Sequence, residues 1–178
     1  LAFAFFVNSA AFGIALAFSI LLYLYSALIQ KQKFFGNIVV ALGTAFTLVF
    51  GASIVQKYDT IIFLAASAFF ANMGREITKD AEDKEADKGY KKTLPMILSQ
   101  KQTSAVVLLM YACAITIAAS VWVSKKITNW IYVFFIAIAA LAFFYSFFLL
   151  FAKKEKKAQE WSKIGMLISL IAFFSGAF

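Results

Sequence analysis

The chain of 178 residues lacks histidine and contains one cysteine and one proline. Without histidine, these residues hold neither a His-ligated zinc or haem nor a Ser-His-Asp triad. The single thiol, Cys113, has no partner for an internal disulfide, and a lone cysteine inside an apolar run is usually a small packing residue. Acidic residues are also scarce, since nine Asp and Glu stand against 17 Lys and Arg, and the net charge is +8.

Hydrophobic residues make up 63% of the chain, and aromatic residues make up 18%. This is more apolar surface than a small soluble domain can bury. The long apolar stretches cover residues 9–29, 37–55, 60–73, 104–123, 130–152 and 164–178. Because about 20 residues cross a hydrocarbon core, they predict an all-α, multi-pass transmembrane helical bundle. Residues 1–7 resemble the tail of a further helix, and no linker or repeat divides the chain, so residues 1–178 are expected to form a single membrane domain.

The basic residues predict the orientation of this domain. Fourteen of the 17 Lys and Arg fall near residues 30–36, 74–103 and 153–163, which six spans would place on one side. By the positive-inside rule that side is cytoplasmic. We therefore expect a cytoplasmic cap at about residues 74–103. The basic groups lie beside span ends, which favours contact with anionic headgroups over nucleic acid.

Six of the nine acidic residues lie between positions 76 and 87, directly after an apolar span. Carboxylates at the edge of a bilayer are costly unless something binds them, so the cluster is a functional-site hypothesis. A helix turns about 100° per residue, which would place several polar side chains on one face. This face contains Asn72, Glu76, Asp80, Asp83 and Asp87, with Lys79 beside it. Magnesium prefers oxygen ligands, typically one or two carboxylates with phosphate and water, so the column of three aspartates predicts a Mg²⁺ site.

Two basic residues near the cluster point to a phosphorylated substrate. Arg75 and Lys79 offer positive charge to the phosphate oxygens that a metal leaves uncovered. A metal, a phosphate and an apolar span together suggest a lipid with a phosphate or diphosphate head. The spacing alone leaves open a solvated helix that is stabilised by i,i+4 ion pairs such as Lys79–Asp83.

Residues 72–95 (NMGREITKDAEDKEADKGYKKTLP) resemble the second aspartate-rich motif of the UbiA superfamily of intramembrane prenyltransferases. Residues 24–26 (LYS) with Gly36-Asn37 resemble a junction between two helices of that family, and Gly51 matches the end of the next span. Residues 163–166 (KIGM) resemble the last helix of the archaeal branch that makes digeranylgeranylglyceryl phosphate. The resemblance extends over essentially the whole chain.

The resemblance implies a nine-helix enzyme in which two aspartate-rich motifs hold Mg²⁺ ions that clamp an isoprenoid diphosphate beneath a cytoplasmic cap. It implies that Asp80, Asp83 and Asp87 are catalytic metal ligands. The implied substrate-binding residues are Asn72, Arg75, Lys79 and Tyr25. The lysine of the family's Tyr-x-x-x-Lys pair is replaced by Ile29, with Lys31 and Lys33 just beyond, so no lysine role is assigned there.

The first motif of the family, Asn-Asp-x-x-Asp-x-x-x-Asp, is not found in these residues. The chain opens inside an apolar run without an initiator Met, a basic n-region or a cleavage site, and so does not begin as a signal peptide. We expect a piece of a longer protein, with the first motif among roughly 100 further upstream residues at about 20 residues per span.

The implied function is transfer of a geranylgeranyl group from an isoprenoid diphosphate to geranylgeranylglyceryl phosphate, in the membrane and in archaeal ether-lipid synthesis. The alternative is a UbiA-type enzyme with an aromatic acceptor, as in quinone or haem pathways. A transporter or cation-channel subunit is less favoured, because transporters place ionisable groups near the middle of their spans and these spans have almost none.

Overall fold

The computed structural model describes residues 1–29, 33–89 and 92–176, which contain helices and no strand. The elements are α1 (Ala2–Val7), α2 (Ser9–Leu24), a π-helix (Tyr25–Ile29), α3 (Lys33–Val55), α4 (Ile61–Glu82), α5 (Leu94–Ile97), α6 (Gln100–Val123), α7 (Trp130–Phe151) and α8 (Glu155–Ser175). The prediction of an all-α, multi-pass helical bundle is confirmed.

Four segments within the described residues are long and apolar enough to cross a membrane. They are Ser9–Ala27, Phe35–Val55, Gln100–Val123 and Trp130–Phe151. Large apolar side chains are exposed on these helices, such as Phe134 (62%) and Leu141 (69%), as expected for contact with lipid. The remaining two long helices, α4 and α8, carry charged segments at one end. The chain is a membrane protein, and the count of six spans stays a prediction.

Polar side chains fix the helix ends opposite the predicted cap. Asn8 caps α2 by accepting a hydrogen bond from the amide of Ala11, and its Nδ2 donates to the carbonyl of Ser53 at 2.9 Å. Asn129 caps α7 in the same way, and its Nδ2 donates to the carbonyl of Ser175 at 3.0 Å. Each asparagine satisfies an unpaired amide at a helix start and also joins that helix to a neighbour.

A pair of stacked rings joins four helices in the core. Tyr111 of α6 and Phe143 of α7 stack with their centroids 4.6 Å apart. A Cβ atom at Gly74 of α4 would lie 2.4 Å from Tyr111 Cε1, and one at Gly165 of α8 would lie 2.8 Å from Phe143 Cε1. The two glycines therefore let α4 and α8 approach the two rings closely.

The acidic segment departs from the prediction. Helix α4 ends at Glu82, Asp83 is its C-cap, and residues 83–89 form turns. The prediction of one continuous helix from Asn72 to Asp87 is therefore wrong. Residues 83–89 are half-buried or exposed and include no large apolar side chain, so no apolar face packs and stabilises further turns. Gly89 then takes a left-handed backbone conformation with φ of 88°, which glycine adopts at low cost.

One expectation for α3 also needs correction. Gly51 was expected to end its span, but α3 continues to Val55. A Cβ atom at position 51 would meet nothing within 4 Å, so no close contact requires a glycine there. The helix ends instead at Val55, just before Gln56, which has a left-handed φ of 55°.

Candidate active site

Helix α4 carries the polar motif from the core of the bundle to the predicted cap. Its buried residues include Asn72, Glu76 and Thr78, whereas Arg75 and Asp80 are half-buried. Three of these polar residues, Asn72, Glu76 and Asp80, recur every fourth position and so lie along one face of the helix. Buried polar groups need partners, and helix α3 supplies them for two members of this row.

Two side-chain contacts connect α4 to the neighbouring helix α3. Asn37 Nδ2 donates a hydrogen bond to Asp80 Oδ2 at 2.7 Å. Asn72 Nδ2 donates to Thr44 Oγ1 at 2.9 Å and lies 3.3 Å from the carbonyl oxygen of Val40. The two helices are antiparallel, so the Asn37–Asp80 contact lies at the cap end and the Asn72–Thr44 contact lies deeper in the membrane. Together they hold the acidic end of α4 against α3.

Between these two contacts lies an ion pair within α4. Arg75 Nη1 is 2.5 Å from Glu76 Oε1, and 24% of the Arg75 side chain is exposed against 9% of the Glu76 side chain. The arginine supplies the positive charge that a buried carboxylate requires. A guanidinium has five N–H donors, so the pair leaves Arg75 able to donate to a further anion.

The predicted ligands beyond the helix differ from their acidic neighbour. The amide of Asp87 donates to the carbonyl of Asp83 at 2.9 Å, so the backbone makes one more turn between them. Both side chains are half-buried, whereas Glu85 is exposed and pairs with Lys88 Nζ at 2.6 Å. The hydrogen bond from Lys88 and its charge lower the pKa of Glu85 below its ordinary value. Glu85 is therefore paired at the surface, unlike the half-buried aspartates.

The acidic residues suit an open magnesium site better than a closed cage. No three Asp, Glu or Cys side chains converge as metal ligands within residues 1–29, 33–89 and 92–176. Magnesium does not require such a cage, because one or two carboxylates with phosphate oxygens and water complete its shell. Glu82 Oε2, at the last residue of α4, is buried without a hydrogen-bond partner in the described structure. A buried carboxylate oxygen without a hydrogen-bond partner is stabilised when a cation or a water molecule binds beside it.

Tyr25 lies near this site, at the start of the π-helix. A Cβ atom at Gly36 would lie 3.4 Å from Tyr25 Cε2 and 3.8 Å from its hydroxyl oxygen. Gly36 directly precedes Asn37, the partner of Asp80, so the tyrosine ring is close to the α3–α4 contacts. Single-turn π-helices are frequent at functional sites. Ile29 ends this segment, and Lys31 lies outside the described residues.

A cavity of about 680 Å³ opens next to Asn72, at its neighbour Ala71 and its partner Thr44. It lies between α2, α3, α4 and α8, and its wall includes Thr44, which accepts the hydrogen bond from Asn72. Most of the wall is apolar, with Phe18 and Phe173 among the aromatic residues. This volume is within the range of small-molecule sites. The polar end of α4 therefore continues directly into an apolar chamber.

The sequence reasoning assigned no role to Asn37 or Thr44, and it placed Glu76 on the polar face without a function. Asn37 and Thr44 are polar residues in an otherwise apolar span, seven positions apart, which places them on one face of a helix. That spacing could have identified Asn37 and Thr44 as one polar face of α3. The pairing of Glu76 with Arg75 had no such signal, because adjacent helical residues do not face each other.

Comparisons with known proteins all point to one family of membrane enzymes. The sequence matches the UbiA prenyltransferase family over residues 1–171. It is 34% identical over 166 residues to the digeranylgeranylglyceryl phosphate synthase of Methanosphaera stadtmanae, covering 89% of this chain and 60% of the relative. It is 31% identical to the synthase of the same name from Methanopyrus kandleri, covering 95% of this chain and 63% of the relative.

A solved structure is also similar to the chain. It comes from work on digeranylgeranylglyceryl phosphate synthase in membranes, and it superposes with a TM-score of 0.88 at 29% sequence identity. The match covers 98% of this chain and 63% of that one. The chain thus spans about three fifths of the length of the proteins that it matches.

Proposed function

The chain belongs to the UbiA prenyltransferase family, and on this basis we propose that its full-length protein transfers a geranylgeranyl group from an isoprenoid diphosphate to geranylgeranylglyceryl phosphate. This reaction belongs to archaeal ether-lipid synthesis. The main support is that relatives named digeranylgeranylglyceryl phosphate synthase match 89% and 95% of the chain at 34% and 31% identity. The polar row of α4 beside an apolar cavity provides the two chemical environments that the reaction needs.

The polar end of the site would bind the diphosphate. Mg²⁺, which one or two of Asp80, Asp83 and Asp87 would hold together with diphosphate oxygens and water, would supply positive charge to the leaving diphosphate. Arg75 and Lys79 would donate to phosphate oxygens that the cation leaves uncovered, and the planar guanidinium suits two such oxygens at once. As the bond between C1 of the prenyl group and the diphosphate oxygen breaks, the electron pair goes to that oxygen. Preorganised positive charge at this point lowers the barrier.

The apolar end of the site would hold the prenyl chain and exclude water. Asn72 and Thr44 lie where the polar row meets the cavity, so C1 would lie near them. A carbocation-like carbon must be kept from water until the acceptor hydroxyl attacks. The oxygen of that hydroxyl would form the new bond to C1 and lose its proton, which the released diphosphate would accept. Tyr25, whose ring lies against Gly36 at the cap end, would contact the diphosphate end of the substrate.

The acidic end of α4 would face the cytoplasm. Most basic residues lie at this end of the bundle, in the segments that flank α5 and in the connection between α7 and α8. The positive-inside rule assigns such an end to the cytoplasm. Soluble diphosphate substrate would therefore reach the site from the cytoplasmic side.

The proposal is tested with the purified full-length protein in lipid nanodiscs. Labelled geranylgeranyl diphosphate is supplied with geranylgeranylglyceryl phosphate or with an aromatic acid acceptor, at a series of Mg²⁺ concentrations. We expect ether product from the lipid acceptor alone, and none after the metal is removed with EDTA. Transfer to the aromatic acid alone would overturn the proposed acceptor, and metal-independent transfer would overturn the proposed cofactor.

A further inference from the structure

Asn37 is a buried polar residue in the cap end of α3, with 7% of its surface exposed. Its Nδ2 donates to Asp80 Oδ2 at 2.7 Å, the short distance of a hydrogen bond to a charged acceptor. The bond joins two separate helices, α3 and α4, across 43 positions of sequence. Without this partner the buried amide of Asn37 would be left without a hydrogen bond, which costs free energy. The contact therefore holds both side chains in place.

The chemistry of this contact suits a carboxylate that must bind a cation. Groups that hydrogen-bond a ligating side chain fix its orientation and tune its affinity for the metal. An amide donor fixes one carboxylate oxygen without adding positive charge, whereas a lysine in the same place would compete with the cation. Asn37 therefore orients Asp80 without neutralising its negative charge.

A second contact fixes the position of Asn37 itself. The ring of Tyr25 lies against Gly36, where a Cβ atom would be 3.4 Å from Tyr25 Cε2. This packing places the start of α3 against the π-helix. The backbone of α3 next to Asn37 is therefore supported by Tyr25, and its side chain is supported by Asp80. The sequence Gly36-Asn37 thus links the tyrosine that is a candidate substrate contact to the aspartate that is a candidate metal ligand.

We propose that Asn37 is a positioning residue that orients the Asp80 carboxylate for the divalent cation. The proposal rests on the proposed function, since it assumes that Asp80 binds the metal. If Asn37 orients Asp80, its removal should first weaken the binding of the metal. Turnover should then fall because less metal is bound. Removal of a residue that orients a metal ligand typically lowers metal affinity about 10- to 100-fold.

The test replaces Asn37 in the full-length protein by leucine, which keeps the volume of the side chain and removes its donor. The matched control is Asn129→Ala, which removes another inter-helix hydrogen bond at the opposite end of the bundle. Mn²⁺ binding is measured by electron paramagnetic resonance in the presence of a non-reactive diphosphate analogue. The Mg²⁺ concentration for half-maximal transfer is measured in parallel. If Asn37→Leu does not fold, Asn37→Ala takes its place.

We expect Asn37→Leu to weaken Mn²⁺ binding and raise the half-maximal Mg²⁺ concentration about tenfold, with both quantities unchanged in Asn129→Ala. Unchanged metal binding in Asn37→Leu, or an equal change in Asn129→Ala, would overturn the positioning role. Asp80→Asn separates the two levels of inference. If this variant binds Mn²⁺ like the wild type, the proposed metal site itself is wrong. If it loses the metal while Asn37→Leu keeps it, only the role of Asn37 is wrong.

Discussion

Arg75 and Glu76 form an ion pair with 2.5 Å between Nη1 and Oε1, although they are adjacent on helix α4. Adjacent residues of a helix point about 100° apart and do not normally face each other. The long arginine side chain therefore bends toward the buried carboxylate. This pairing places the guanidinium between the levels of Asn72 and Asp80, where the diphosphate is proposed to bind.

We predict that Glu76→Gln weakens diphosphate binding more than acceptor binding. The glutamine fills the same space, but the charge that holds the guanidinium in place is lost. We expect the KM for geranylgeranyl diphosphate to rise about tenfold, the equivalent of about 1.4 kcal/mol. The KM for the lipid acceptor should change much less, because its hydroxyl meets the carbon end of the donor. Steady-state kinetics with each substrate varied in turn measures both values, and equal rises would contradict the prediction.

Asp83 and Glu85 provide a matched pair for the metal hypothesis. Asp83 is half-buried at the end of α4, whereas Glu85 is exposed and bound to Lys88. We expect Asp83→Ala to lower Mg²⁺-dependent transfer by about 100-fold through loss of a metal ligand. Glu85→Ala should leave transfer nearly unchanged, because surface ion pairs contribute little. Equal losses in the two variants would indicate a general effect of negative charge at the cap.

The sequence alone predicted the helices well and the acidic segment only in part. Apolar length located the six long helices, because the hydrocarbon core imposes about 20 apolar residues on each span. The helical period also predicted that Asp80 and Asn72 share a face. It failed beyond Glu82, because the charged residues there present no apolar face whose packing would stabilise the helix.

The contacts between helices were not predictable from local pattern. The Asn37–Asp80 bond joins residues 43 positions apart, and nothing near either residue specifies the other. The stacked Tyr111 and Phe143 rings depend in the same way on glycines in two other helices. Such pairings follow from how the helices pack, and the local pattern of one sequence contains little information on them.

Gly74 and Gly165 should tolerate no side chain. An alanine Cβ would lie 2.4 Å from Tyr111 or 2.8 Å from Phe143, both within a stacked ring pair that cannot move freely. We expect each alanine variant to lose about 1–3 kcal/mol of stability through overpacking. Gly13→Ala is the control, because a Cβ atom there meets nothing within 4 Å. That variant should be neutral or more stable by about 0.5–1 kcal/mol, since glycine is unfavourable inside a helix.

Thermal unfolding in detergent, followed by helical circular dichroism, measures these differences. The ring contacts also make a prediction about position, because Gly74 and Gly165 lie against the rings and Gly13 does not. If Gly13→Ala destabilises the protein as much as Gly74→Ala does, close packing against Tyr111 is not the cause of the sensitivity.

The wall of the cavity should determine how long a prenyl chain the protein accepts. Ala68 lines the cavity on α4, one helical turn deeper than Asn72, or about 6 Å along the axis. A leucine at this position would fill part of the chamber where the far end of a long chain would lie. We expect Ala68→Leu to lower kcat/KM for geranylgeranyl diphosphate about tenfold and to affect the shorter farnesyl diphosphate much less, a discrimination typical of apolar pockets.

Ala66 on the same helix is the matched control for Ala68. It lines a separate, smaller groove between α3 and α4 with Leu42, Ala45 and Phe70, away from the cavity beside Asn72. Ala66→Leu adds the same volume at nearly the same depth, so any general effect of a larger side chain on α4 appears in both variants. The preference for chain length should shift in Ala68→Leu alone. A loss of activity toward both diphosphates in Ala68→Leu, or the same shift in Ala66→Leu, would mean that the prenyl chain does not occupy this cavity.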